Sequence, residues 1–487
     1  MIGAGMGAMA AAARLAVAGH RVTVYERAAT YGGALGRFER DGFSFDTGPG
    51  LLHLPAVYRD LFVKTGREPL ERCVELSQVD PASRHVFADG TAVSLPNASR
   101  AGVVAALDGA IGAGAGERWG DFLGRARDAW DRSRRPLLEE PLRPDWRVLG
   151  RDPYPAVKQR RMLRTRRAGT VSEIGAWELG DPRLAALLEW YALSYGLDPR
   201  HAPAAAALLP YMEQTFGSWY VAGGMRALAR AVHERCVARR VEFVFGAEVV
   251  RILDEGGRAA GVELADGTVA EADHVVAGAA PEGLTGHALR GEGDVAAQTG
   301  ARSGRFTVLL ALRGARPGDT AHRTVVHAPD ARAEAAAVFA GRAAGRPTVT
   351  VLRPDDPATR PDPGHEAVTL TATVAATGDG TTGWTDGRLR ERYADVLVDV
   401  ARAAVPDLEE RLLWREVRTP AESGAVAAPS LAGAGGRYLH PANTTRLPGL
   451  YAAGGWAHPG GGPAHAGMSG ALVAGLIVEG PDFRGSQ

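Results

Sequence analysis

The chain opens on Gly3-Ala4-Gly5-Met6-Gly7-Ala8, in which Gly3, Gly5 and Ala8 fill a GxGxxG/A pattern. That pattern constrains everything after it, because it calls for a strand, a tight turn and a helix in direct succession. The Ala-rich run from Ala10 to Gly19 reads as that helix, with Gly19 past its end. A second strand, Arg21-Val22-Thr23-Val24-Tyr25, ends at Glu26, where an acidic side chain meets the ribose of a dinucleotide. Gly3 permits the turn and Gly5 lets backbone approach a pyrophosphate. Ala8 is small enough for close packing, and the helix N-terminus faces negative charge. Met6, Gly7 and Arg27 flank the same site, and Glu26 favours a ribose without a 2′-phosphate. Only Met1 and Ile2 precede Gly3, where a strand runs to about five residues. A native start upstream of Met1 is therefore expected.

A length of 487 residues predicts two domains, since single cores stop growing near about 250–300 residues. With 56 basic and 56 acidic residues there is no net field to draw nucleic acid, which is not an expected partner. Cys73 and Cys236 form no CxxC pair, which argues against zinc and disulfides and fits a reducing cytoplasm. No apolar run reaches the about 20 residues of a membrane span, and no basic leader precedes an apolar stretch. The expected location is cytoplasmic. The basic residues are 54 Arg and two Lys, in an Ala- and Gly-rich chain, which points to a GC-rich genome of the actinobacterial kind.

After Glu26 come Gly32-Gly33, then Gly42-Phe43-Ser44-Phe45-Asp46-Thr47-Gly48-Pro49. Farther on stand Gly217-Ser218-Trp219-Tyr220-Val221-Ala222-Gly223-Gly224-Met225 and, near the end, Gly454-Gly455-Trp456-Ala457-His458-Pro459-Gly460-Gly461-Gly462. In this order they resemble the landmarks of the FAD-dependent phytoene desaturase-like (carotenoid desaturase) family, whose closing signature is GLYxxGxxxHPGGG. The resemblance implies an α/β fold with a Rossmann-type, GR2-like FAD-binding domain, discontinuous over 1–75, 215–290 and 430–487. A substrate-binding domain of mixed sheet and helical cap would occupy 76–214 and 291–429. FAD is the implied cofactor. Gly32, Gly33 and Arg37 would approach its phosphates, Gly48 and Pro49 its isoalloxazine, and Val249 its adenine. Gly454, Gly455, Gly461, Gly462 and Met468 complete the implied set. The helix read over Gly470 to Leu476 would turn its N-terminus to the flavin's pyrimidine end. One departure is marked: Pro463-Ala464-His465-Ala466-Gly467-Met468 stands where the family usually has V-P-G-V-L-L, so a His replaces a Gly.

On the substrate side, Phe306 to Leu312 and Ala367 to Thr373 have strand composition, and Asp386 to Ala404 reads as an amphipathic helix. Gly109 to Gly116 is read as a loop, which leaves a second, nicotinamide-type site unsupported. Residues 131–170 hold 12 Arg or Lys against five Asp or Glu, with Trp146 and Tyr154 interleaved. Such a stretch suits a peripheral membrane surface or a solvated cap.

The expectation is an FAD-dependent oxidoreductase that desaturates a lipophilic, carotenoid-type polyene by hydride transfer to flavin. Oxygen or a quinone would reoxidise it. His53, His458 and His465 are candidate bases for the second proton. The 463–468 departure keeps a flavin-dependent isomerase or cyclase of a polyketide polyene, such as a tetramate macrolactam precursor, as an alternative. A non-catalytic flavin-fold partner subunit is the third.

Overall fold

The computed structural model describes residues 1–143, 146–161, 164–279, 303–376, 383–423 and 428–485. A parallel sheet is built on the N-terminal turn. Its strands run in the order Glu242–Phe245, Thr23–Glu26, the short stretch at Ile2, Val275–Ala277 and Leu450–Ala452. Ile2 bridges both Tyr25 and Ala277, so the turn at Gly3 leaves from the middle of the sheet. Val24 and Val275 to Ala277 are buried, as expected of parallel strands covered on both faces.

The helix Met6–Val17 follows the turn and buries Met6 to Ala13 without a break. An ordinary amphipathic helix could not do this, but one made of Ala, Gly and Met can be approached from nearly every side. The helices Met225–Ala238 and Pro463–Glu479 pack on it. A Cβ on Gly7 would lie 2.7 Å from the Gly454 Cα, and one on Gly470 would run into the Gly7 carbonyl. The strands Val249–Glu255, Arg258–Leu264 and Val269–Glu271 form an antiparallel meander beside the sheet.

The second sheet has seven strands. Its order is Leu412–Arg418, Ser303–Arg313, His365–Ala375, Val349–Leu352, Arg323–Val326, Ser83–Val86 and Ala92–Leu95. Only the Arg323–Val326 and Ser83–Val86 pair is parallel. Strand alternation gives this sheet two distinct faces. Phe306, Val308, Leu310 and Leu312 pack under the helix Gly387–Ala401, whose N-cap Asp386 accepts from the Arg388 and Leu389 amides. Leu309 and Ala311, on the other face, meet Phe43 and Phe45 of the hairpin Arg37–Asp46. That contact ties the Gly48-Pro49 segment to the sheet. Helices between residues 100 and 216 cover the rest of this face around Trp119, Phe122, Leu187 and Tyr191.

Three readings of the sequence are corrected. The Gly109 to Gly116 run is not one loop: Gly109 lies in the last turn of the helix Arg100–Ile111, Gly116 in the first turn of Ala115–Arg134, and only the joint at Gly112 and Gly114 takes positive φ. A Cβ on Gly116 would strike the Val104 carbonyl, so the glycine serves helix–helix approach. The last helix starts at Pro463, not near Gly470, because proline is well suited to the first helical position. Tyr154 is buried, accepting from Arg125 and donating to Glu178, so it cannot lie on an outer basic surface.

The glycine contact yields a stability prediction. Gly470→Ala should push the first and last helices apart at a cost of about 1–3 kcal/mol. A lower thermal midpoint in calorimetry would show it, and an unchanged midpoint would contradict it.

Candidate active site

The first helix begins without a side-chain cap and with no acidic residue in its first turn. Its leading N–H groups and positive dipole end are left for an external anion. Beside it, the Glu26 carboxylate accepts from the amides of Ala4 at 2.7 Å and Ala28 at 2.8 Å. The Gly32 amide donates to the Ala4 carbonyl at 2.8 Å. A Cβ on Gly33 would stand 3.2 Å from the Gly5 Cα. A groove of about 670 Å³ opens here, lined among others by Glu26, Thr30, Gly33, Arg37, Thr47 and Arg226. Its volume is that of a small-molecule cofactor site. Gly3, with φ of +85°, makes the turn expected of it, and Ala8 is wholly buried. Met6 is also buried, Arg27 is exposed, and Val249 is buried where the meander begins, paired with Leu264.

The C-terminal segment brings a second uncapped helix. Gly462, at φ +92°, precedes Pro463, and the first turn carries no acidic residue. Gly454 takes φ +108° and donates to Ser469 Oγ at 3.0 Å, while the Gly461 amide donates to the Ala428 carbonyl at 2.9 Å. Gly455 faces Gly461 closely enough that an added Cβ would lie 3.4 Å from its Cα. Asn443, which no motif marked, holds this loop through the carbonyls of Ala452 at 3.0 Å and His458 at 2.7 Å. Trp456 Nε1 and His458 Nδ1 are buried without hydrogen-bond partners among the described residues. Unsatisfied polar atoms in a glycine loop fit a polar cofactor, as do the two open helix ends.

The three histidines occupy different settings. His458 is wholly enclosed, donates from Nε2 to the Glu140 carbonyl at 3.0 Å, and is lowered to a pKa of about 3 by burial. His465 sits in the first turn of the last helix, and burial, with a smaller contribution from His440, lowers it to about 4. Met468 lies farther along this helix and is partly buried. His53 keeps 25% of its side-chain surface. Its Nε2 is 3.5 Å from Glu213 Oε2 and its Nδ1 is 3.5 Å from Ser218 Oγ. Burial lowers the His53 pKa, with Glu213 opposing.

Glu213 belongs to a buried network that sequence reasoning missed. Arg323 grips both its oxygens, one through Nη1 at 3.2 Å, and spends Nε on the Ala82 carbonyl at 3.1 Å. Tyr191 donates to Glu213 at 3.4 Å. Burial works against ionising Glu213, but Arg323 and His53 hold its pKa below the ordinary value. Gly48 and Pro49 are partly buried on the loop just before His53. Asp46, at the start of that loop, accepts from the Met225 amide at 2.9 Å and so caps the helix Met225–Ala238. Burial raises Asp46 to a pKa of about 6, against its backbone hydrogen bonds.

A parallel sheet with a Gly-rich turn, a carboxylate held by the turn's amides and two uncapped helix ends fit an FAD-dependent oxidoreductase. Residues 9–312 match the family of flavin containing amine oxidoreductases. The chain belongs to that family, and within it to the phytoene desaturase-like carotenoid desaturases. It is 32% identical to the hydroxyneurosporene desaturase of Cereibacter sphaeroides over 490 residues, covering 98% of this chain and 97% of the relative. It is 29% identical to the 4,4'-diapolycopene oxygenase of Methylomonas sp over 497 residues, covering 98% and 97%. A solved putrescine oxidase variant shares the fold with a TM-score of 0.65 at 15% identity, covering 98% of each chain.

Two predictions follow from the geometry. His458 and His465 have folded pKa values of about 3 and 4 against 6.5 in the unfolded chain. A depressed pKa contributes stability that is complete above 6.5 and is lost as pH falls toward the folded value. Each should cost about 2 kcal/mol by pH 5, so urea midpoints should fall less steeply with acid in His465→Asn than in the wild type. Glu26→Ala should weaken FAD binding about tenfold or more, by loss of a charged acceptor, as read by fluorescence titration of apoprotein.

Proposed function

We propose that the chain desaturates a linear lipophilic polyene, with the flavin-binding segments 1–75, 215–290 and 430–487 opposed to substrate segments 76–214 and 291–429. One observation carries the reading. The loop at Gly48-Pro49 is held by the Phe43 and Phe45 hairpin against one face of the seven-stranded sheet, with a narrow cleft of about 40 Å³ lined by Gly48, Leu352 and Thr369. The full-length likeness to hydroxyneurosporene desaturase and diapolycopene oxygenase supports a polyene substrate.

In this reading Gly3, Gly5, Gly7 and Glu26 hold the dinucleotide half of FAD, with Gly32, Gly33 and Arg37. The glycines from Gly454 to Gly462 enclose the ring half. FAD, when bound there, supplies a two-electron acceptor for a C–H bond of the polyene. His53 takes the proton that leaves the adjacent carbon, so that the C–H electron pair closes the new double bond. Glu213, as acceptor, keeps the imidazole hydrogen on Nε2, so Nδ1, which the Ser218 hydroxyl approaches at 3.5 Å, is the nitrogen that receives this proton as that hydroxyl turns away. The depressed pKa keeps His53 neutral before the step. Arg323 fixes Glu213 as a carboxylate. His458 and His465 hold the glycine loop and the last helix. Oxygen or a quinone completes the cycle.

No helix among the described residues is long and apolar enough to cross a membrane. Arg147, Arg151, Lys158 and Arg160 are exposed together with Val148, whose 68% exposure suits a wet, charged lipid boundary. This face is proposed to meet the membrane that holds the polyene.

Anaerobic mixing of holoenzyme with a linear polyene that retains saturated positions should bleach the flavin absorbance. His53→Leu should slow bleaching by about 10²–10⁴-fold without changing FAD content. Bleaching at the wild-type rate would remove His53 as the base, and no bleaching by any polyene would remove the desaturase reading.

A further inference from the structure

The face of the seven-stranded sheet that meets the Phe43 and Phe45 hairpin is more polar than a hydrocarbon requires. Thr307, Thr371 and Thr350 stand side by side across three strands of that face. Arg305 lies two residues from Thr307, opposite Thr373. Its neighbour Phe306 packs on the opposite face, under the helix Gly387–Ala401, so strand alternation directs Arg305 inward.

Arg305 has no hydrogen-bond or ion-pair partner among the described residues. It keeps part of its surface, yet burial lowers its pKa, as happens when a side chain faces an enclosed space rather than bulk water. The nearby groups are already committed. Glu213 is paired with Arg323 and also receives Tyr191. Ser303 and Thr373, which flank Arg305, donate to the Gly196 and Leu193 carbonyls at the end of the helix Pro182–Ser194. Tyr195 lies within electrostatic reach of Glu213, Arg323 and Arg305, and burial raises its pKa to about 12, so it stays a neutral donor. Among the described residues Arg323 is balanced by Glu213 and His53 is neutral, so Arg305 leaves this group of side chains one positive charge in excess.

An uncompensated guanidinium inside a protein costs several kcal/mol unless an anion meets it. A planar, bidentate carboxylate is the partner that matches it best. We propose that the polyene bound here carries a carboxylate end group and that Arg305, with Tyr195 as a second donor, receives it. The inference rests on the polyene reading above and narrows it to an acidic polyene.

Retinoic acid and its methyl ester give a matched test, both being isoprenoid polyenes with an open-chain end that differ there in one charge. Binding to the holoenzyme is read from quenching of tryptophan emission at neutral pH. The acid should bind about tenfold or more tighter than the ester. Arg305→Met should bring the acid down to the affinity of the ester and leave the ester unchanged, while Arg305→Lys should keep part of the preference. Without ligand, Arg305→Met should melt at or above the wild-type temperature, because it removes an unpaired charge. Equal binding of both probes by the wild type, or a preference that survives Arg305→Met, would overturn the inference and leave the polyene reading standing. A melting temperature several degrees lower would mark Arg305 as a structural residue and overturn it too. Failure of both probes to bind would count against the polyene reading and take this inference with it.

Discussion

The arrangement depends on how closely two helices can pass. The first helix and the last one meet at Gly7 and Gly470, with the Gly454 loop wedged against Gly7; neither Gly7 nor Gly470 has room for a Cβ, and Gly454 takes a φ of +108°. Because the contact is between backbones, the N-terminal halves of two helices from opposite ends of the chain lie side by side. Neither carries a side-chain cap or an early acidic residue. An ordinary helix would satisfy these amides with its own residues; here side chains of the first turn leave them uncapped, as the proposed FAD site requires.

A second constraint joins the two halves of the molecule. Arg323 comes from the seven-stranded sheet, Glu213 from the helices above it, and His53 from the loop that follows Gly48. Removing any one of them would leave a buried charge or a mis-set imidazole, so the three positions support one another. Such networks are costly to bury and gain their value from orientation rather than from net stability. Asp46 acts similarly on the other flank, where its carboxylate caps a helix that begins at Met225. The acid of the D-x-G-P segment therefore organises backbone, while the glycine after it serves close approach.

Much of this was legible in the chain. Glu26 closing the second strand and the strands about Phe306 and Ala367 carry local patterns of period two or fixed spacing, and they stand where those patterns put them. Errors arose where a local signal had two tertiary readings. Glycines at 109 and 116 look like a loop but sit inside helices, one of them to admit the Val104 carbonyl. Tyr154 looked like an outward aromatic among arginines, yet its hydroxyl is held inside by Glu178.

By itself the sequence determined the Gly3 turn, the placing of Glu26 at the end of the second strand and the family, because glycine spacing and strand alternation act over a few residues and leave a readable imprint. Only the tertiary structure decided which histidine keeps an open side and a carboxylate partner, and which arginine is left unpaired. Glu213 and Arg323 are separated by 110 positions, and His53 meets Glu213 only through folding. Burial and charge pairing are properties of assembled surfaces, so no local pattern in the chain can announce them.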